Sequence, residues 1–151
     1  LIEPDRKFRV SYEIDFSHPS IGKQSLEIEI NPENYSSQIA FARTFGFYNE
    51  VEDLLKKGLI RGGSLENAVV LDDEGVLDGE LRCADEFVRH KVLDLIGDVS
   101  LCGYPLAGHI RAYRAGHSLH TNLATEIARR SPLLEKVRES ELAEWVPAAG
   151  F

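Results

Sequence analysis

The sequence predicts an α+β fold: a layered β-sheet with helices packed on one face, plus a small β-α-β insert. Two observations carry this. Near the start, apolar residues recur at every second position, the period of a half-buried strand. Further on they recur every third or fourth, the period of a helix. A third observation narrows the class: no G-x-G-x-x-G follows a strand, and no G-x-x-x-x-G-K-[ST] loop is present.

The first strand is the clearest element. Phe8, Val10, Tyr12, Ile14 and Phe16 alternate with polar residues until His18-Pro19 ends the run. Leu26, Ile28 and Ile30 form a second alternating strand. Asn31-Pro32 has the chemistry of a helix N-cap and first turn, which predicts a helix to about Arg43. A loop over Thr44-Phe47 then leads to a short helix from Glu50 to Lys57. Asn49 and Glu52 form an approximate capping box, and Gly58 supplies the stop. Gly62-Gly63-Ser64 predicts a tight turn, Ala68–Leu71 a strand, and Asp72 to Gly75 its closing turn. A long helix is expected over Asp85–Cys102, a strand over Ala107–Arg114, and a last helix from His117 to about Arg130. Residues 1–132 form one domain with an insert at 48–70, and 133–151 form a loosely packed tail.

Composition bounds the function. The chain has 151 residues, 43% hydrophobic and 28% charged, which suits a globular domain. Its net charge of −8 speaks against non-specific nucleic-acid binding, which needs a basic face. No apolar run is long enough for a membrane span, and the first ten residues lack a signal-peptide core. Cys83 and Cys102 form no metal-type spacing and read as buried small hydrophobes, which fits a cytoplasmic location. The absence of any Met leads us to expect that the chain starts within a longer protein.

Three groups of residues could carry chemistry. His90, Asp94 and Asp98 stand four apart on the long helix and so share one stripe. Val88, Val92, Leu95, Ile96 and Val99 fill much of the remaining surface, so the stripe is itself expected to be largely buried and to need a partner. A divalent metal is one such partner, since a His and an Asp one turn apart can both reach a zinc ion. An ordinary surface His/Asp pair is the other reading, and no third ligand is forced by spacing among His18, His109, His117 and His120. Ala115-Gly116-His117 places a His at a helix start, where Asp98 could balance the helix dipole and suit the ring to proton transfer; a plain helix entry is the alternative. Phe45 and Phe47, with Phe16, could stack a planar base or simply plug the core.

Five segments then resemble one family, UDP-3-O-acyl-N-acetylglucosamine deacetylase. They are Ile14-Asp15-Phe16-Ser17-His18-Pro19, Ala42-Arg43-Thr44-Phe45-Gly46-Phe47, Gly62-Gly63-Ser64-Leu65-Glu66-Asn67-Ala68, the helix string Asp85 to Asp98, and Ala112-Tyr113-Arg114-Ala115-Gly116-His117. They occur in the family's order and spacing from about residue 8 to 130. The string Arg89-His90-Lys91-Val92-Leu93-Asp94-Leu95-Ile96-Gly97-Asp98 is the most specific.

The resemblance implies two similar α+β domains, of which this chain is the second. It implies a Zn2+ cofactor with His90 and Asp94 as ligands, and His117 as catalytic histidine oriented by Asp98. Lys91 would meet substrate phosphates, Phe16 and Phe45 would flank the uracil with Thr44 nearby, and Gly63 would line the substrate site. The insert would form an apolar acyl-chain passage with Val51, Leu54, Leu55, Leu59 and Ile60. A third zinc ligand, a His, and a general-base Glu would come from the absent first domain, so this chain alone should hold metal poorly and have negligible activity. Arg114 and His120 stand where Lys and Asn are expected. A metal-free UDP-sugar binding module is the alternative function.

Overall fold

The alternating residues that open the chain form the strand around which the rest is arranged. In the computed structural model, which describes residues 1–58, 64, 66–77 and 79–130 (backbone only at 52–55), this strand is β2, Phe8–Asp15. Val10, Tyr12 and Ile14 are fully buried, while Ser11 and Glu13 face the other way. Each such buried side chain contributes roughly 1.5–3 kcal/mol. β2 runs antiparallel to β3, Lys23–Glu29, and parallel to β7, Gly108–Tyr113. A two-residue edge strand, β1 (Ile2–Glu3), pairs antiparallel with β7 and gives the order β1-β7-β2-β3. Two residues carry no readable period, so β1 could not be found in the sequence.

Asn31 caps the first helix as expected: its side-chain oxygen accepts from the Asn34 amide at 2.8 Å, with Pro32 following. The helix does not continue to Arg43. α1 covers only Pro32–Asn34 and passes into a π-helical turn, Tyr35–Ile39. Arg43 supplies the reason. Its backbone amide donates to the buried Glu86 carboxylate at 3.0 Å, which draws the chain out of helical conformation before that point.

Thr44–Phe47 is a strand, β4, and not the expected loop. It pairs parallel with β5, Ala68–Leu71, which pairs antiparallel with β6, Val76–Leu77. Between β4 and β5 lies α2, Tyr48–Lys56, so the insert is a β-α-β unit. α2 begins before Asn49, which therefore sits inside the helix and is not its cap. Gly58, at φ 71°, ends it in the left-handed conformation glycine favours. The expected turn at Gly62-Gly63, the insert residues Leu59 and Ile60, the side chains of Leu54 and Leu55, and the tail 133–151 lie outside the described residues.

The two long helices fall close to their predicted bounds. α3 is Glu86–Ser100 and buries Phe87, Val88, Val92, Leu95 and Val99 against β2, β3 and the π-helical turn. α4 is His117–Arg130 and packs along α3, with His120, Ala124 and Ile127 buried. The α+β architecture with helices layered on one sheet face is thus the observed one.

Candidate active site

The four-residue spacing on α3 brings its stripe to one place. His90 Nε2 lies 3.1 Å from Asp94 Oδ1, and both side chains are more than four-fifths buried. His90 Nδ1 lies 3.3 Å from the Ala42 carbonyl, which can only accept, so the ring proton belongs there. Nε2 then presents a lone pair to a carboxylate oxygen. Two acceptors at that distance fit a cation between them or a second proton on the ring. Lys91 Nζ donates to the other oxygen, Asp94 Oδ2, at 2.6 Å. Burial pushes the Asp94 carboxyl up, but a His90 ring that carries a second proton on Nε2, together with the Lys91 ammonium, outweighs it and holds it at about 2. Asp94 is therefore a carboxylate at any physiological pH.

One turn on, Asp98 Oδ2 accepts from two rings, His117 Nδ1 at 2.7 Å and His120 Nδ1 at 2.9 Å. Their ligand atoms lie within 4.8 Å of one another, the one His/Cys/Asp/Glu trio among the described residues close enough to hold a metal ion. Both Nδ1 atoms are turned onto one oxygen, an arrangement that hydrogen bonds already satisfy. His117 is exposed and its Nε2 reaches to 3.8 Å from Asp94 Oδ2, which joins the two groups into one site. His120 is buried. Burial pushes its imidazolium down, and the Asp98 charge only partly offsets this.

Chain topology explains why these residues meet. β7 runs parallel to β2 and leaves the sheet at Tyr113, beside Glu13. Arg114 follows in the left-handed region, φ 47°, with its amide bonded to the Glu13 carbonyl at 2.9 Å. That tight turn starts α4 at His117, against the α3 face bearing Asp94 and Asp98.

Thr44 is exposed at the start of β4. Phe16 and Phe45 touch edge to face with centroids 5.7 Å apart, and Phe45 also meets Phe87 at 5.0 Å and His90 at 6.1 Å. These aromatics are half-buried against the core, so the plug and platform readings both have support. Phe47 meets His18 instead. A hollow of about 270 Å³ lies between Phe16 and Arg114. A larger recess of about 350 Å³, lined by Ser11, Glu27 and Arg111, is on the opposite sheet face and away from this chemistry. Gly63 lies outside the described residues.

A family profile described as UDP-3-O-acyl N-acetylglycosamine deacetylase matches residues 1–129. The chain belongs to this deacetylase family. Among its relatives is the UDP-3-O-acyl-N-acetylglucosamine deacetylase of Thermodesulfovibrio yellowstonii, 52% identical over 125 residues, which are 83% of this chain and 43% of the relative. The proteins of the same name from Oleidesulfovibrio alaskensis and Solibacter usitatus are 49% and 46% identical over 143 and 149 residues. Those alignments cover 93% and 98% of this chain, and 47% and 50% of the relatives. The chain spans about half the length of these deacetylases.

Sequence reasoning placed neither Tyr12 nor His120 in the site, although His120 was noted as standing where Asn is expected. Tyr12 reads only as an inward strand position. His120 had a usable signal, since His117 and His120 are three apart at the start of a helix and so share a face.

Proposed function

We propose that this chain is the part of a zinc-dependent UDP-3-O-acyl-N-acetylglucosamine deacetylase that supplies two metal ligands, His90 and Asp94, and the proton-handling pair His117 and Asp98. The observation that carries this is the 3.1 Å approach of His90 Nε2 to Asp94 Oδ1, with His117 Nε2 3.8 Å from the same carboxylate. An imidazole and a carboxylate suit zinc, and the Ala42 carbonyl holds His90 in the tautomer a metal needs. Zinc bound there would supply a Lewis acid that polarises an amide carbonyl and activates water.

The remaining chemistry belongs to side chains. Asp98 keeps the proton on His117 Nδ1, so Nε2 is the atom that takes up a proton and passes it to the departing sugar nitrogen. Asp98 also offsets the positive ring that forms in the process. Lys91 spends one of its three N–H donors on Asp94 and keeps two for a substrate phosphate. Phe16, Phe45 and the exposed Thr44 offer an aromatic and hydroxyl surface to the uracil, with Gly63 among the substrate-binding residues and the insert receiving the acyl chain. The third metal ligand and the general base come from residues outside this chain, as the half-length match to its relatives suggests. We assign the proposed reaction to the cytoplasm, in lipid A biosynthesis, because two free cysteines suit a reducing compartment.

The test uses an enzyme that contains this chain at the full length of its relatives. Acetate release from UDP-3-O-acyl-N-acetylglucosamine is expected to vanish on chelation and to return with zinc. Undiminished turnover after complete metal removal would defeat the reading. Tight substrate binding with no acetate released would leave a binding module instead.

A further inference from the structure

Tyr12 and His120 are fully buried, lie 108 positions apart in sequence, and meet directly behind Asp98. The Tyr12 hydroxyl donates to the Ala115 carbonyl at 2.7 Å and lies 2.9 Å from His120 Nε2. The two rings meet edge on, with centroids 5.8 Å apart. On the other side of its ring, His120 Nδ1 is 2.9 Å from Asp98 Oδ2. A carboxylate can only accept, so Nδ1 carries a proton; the Tyr12 hydroxyl has one proton to give to Ala115 or to Nε2, and all three contacts are hydrogen bonds at once only when Nε2 also carries a proton. The buried hydroxyl and ring of Tyr12 pack against the His120 ring, and that ring's Nδ1 bonds the oxygen that also receives His117 Nδ1 at 2.7 Å. Through Ala115, the same hydroxyl ties down the turn from which His117 projects.

Building on the deacetylase reading, we propose that His120, anchored by Tyr12, is a positioning residue that fixes Asp98 so the carboxylate keeps the His117 proton on Nδ1 and leaves Nε2 facing Asp94. His120 itself is buried behind Asp98 and has no route to substrate. Its effect is on the orientation of Asp98. A carboxylate held by one ring alone can rotate about its terminal bond, which is broad and has no sharp preference. With two ring donors on one oxygen, that rotation would break two charge-assisted bonds.

The test reads ring-nitrogen chemical shifts of His117 in this chain by NMR, without metal or substrate, at about pH 8, where an ordinary imidazole is neutral. Wild-type His117 is expected to be mainly the Nδ1–H tautomer. In His120→Leu the ratio of Nδ1–H to Nε2–H should fall about tenfold, the scale of one lost hydrogen bond to a charged group. His120→Asn keeps an N–H donor and should restore the ratio to within about twofold. In the full-length enzyme, His120→Leu should lower kcat about tenfold with KM unchanged, and His120→Asn should recover it. If His120→Leu does not fold, Tyr12→Phe takes its place and should shift the tautomer ratio the same way. An unchanged ratio in a folded His120→Leu or Tyr12→Phe protein overturns the proposal. So does a kcat loss that His120→Asn fails to recover. Failure of the wild-type enzyme to release acetate would instead defeat the deacetylase reading, while the tautomer measurement would still report on His120.

Discussion

Glu86 and Arg43 form the most enclosed ion pair described in the chain. The carboxylate is inaccessible to solvent, and Arg43 contacts it three times: through its backbone amide at 3.0 Å, Nε at 2.9 Å and Nη2 at 3.0 Å. The Arg82 amide adds a fourth donor at 2.7 Å. This pair ties the start of α3 to the segment carrying the Ala42 carbonyl, which in turn orients His90.

Removing the charge from Glu86 should therefore cost stability first. Breaking a buried pair by altering one partner costs about 3–5 kcal/mol, so Glu86→Gln should lower Tm by on the order of 10 °C in a scanning calorimeter. The pH dependence follows from the same contacts. Burial opposes the charge on Glu86, and the Arg43 guanidinium and the two backbone amides outweigh it, so its carboxyl lies below its ordinary 4.5. Folding thus favours the ionised form. That contribution is whole above pH 4.5 and fades as acid carries the pH down through the lowered folded value. Glu86→Gln should flatten this acid limb, and an unchanged limb would show that the pair does not govern it.

Zinc content would separate the proposed ligands, His90 and Asp94, from their neighbours. His90→Ala and Asp94→Ala in the full-length enzyme should each lower metal stoichiometry at submicromolar zinc and cut kcat/KM by at least about a thousandfold. Atomic emission on dialysed protein checks the first and acetate release the second. A His90→Ala enzyme that retains both would remove His90 from the ligand set.

His117 should behave differently. Its ring is exposed, hydrogen-bonded to Asp98 at 2.7 Å and only 3.8 Å from Asp94 at its nearest, beyond hydrogen-bond reach, so His117→Ala should keep its zinc. The expected loss is about 10²–10⁴ in kcat with KM within about threefold, as for a proton donor acting in the transition state. A change in KM alone would point to substrate binding.

Gly108 tests the edge of the sheet. Its φ is 156°, and a β-carbon there would meet the Glu3 carbonyl oxygen at 3.3 Å. Gly108→Ala should destabilise the fold by about 1–3 kcal/mol and release β1, visible as faster amide exchange at Glu3 and at Arg111, whose amide donates to the Leu1 carbonyl. Protection equal to wild type at those amides would contradict this.

Strong periodicity made most of the main sheet and both long helices legible. Tyr12 and Ile14 fix a face by alternation, and Val88, Val92, Leu95 and Val99 do so by helical spacing, whatever surrounds them. Elements held by distant partners were not legible. The chain leaves the first helix because Arg43 answers to Glu86, 43 positions later, and Thr44–Phe47 becomes a strand only because Ala68–Leu71 lies beside it. The site divides the same way. His90 and Asp94 are one turn apart on one helix, so their approach could be read directly. The junction of Tyr12, His120 and Asp98 needed three separate elements to come together, and no local spacing announces it.

The parallel pairing of β2 with β7 also has a temporal side. During synthesis the first of these strands emerges about a hundred residues before the second, a wait of roughly 5–20 s at ordinary translation rates. Throughout that interval the edge of β2 that will receive β7 has no mate and Tyr12 has nothing to hold. The two histidines of α4 cannot gather around Asp98 until the strand that delivers them has docked, so the nascent chain lacks the assembled Asp98–His117–His120 cluster.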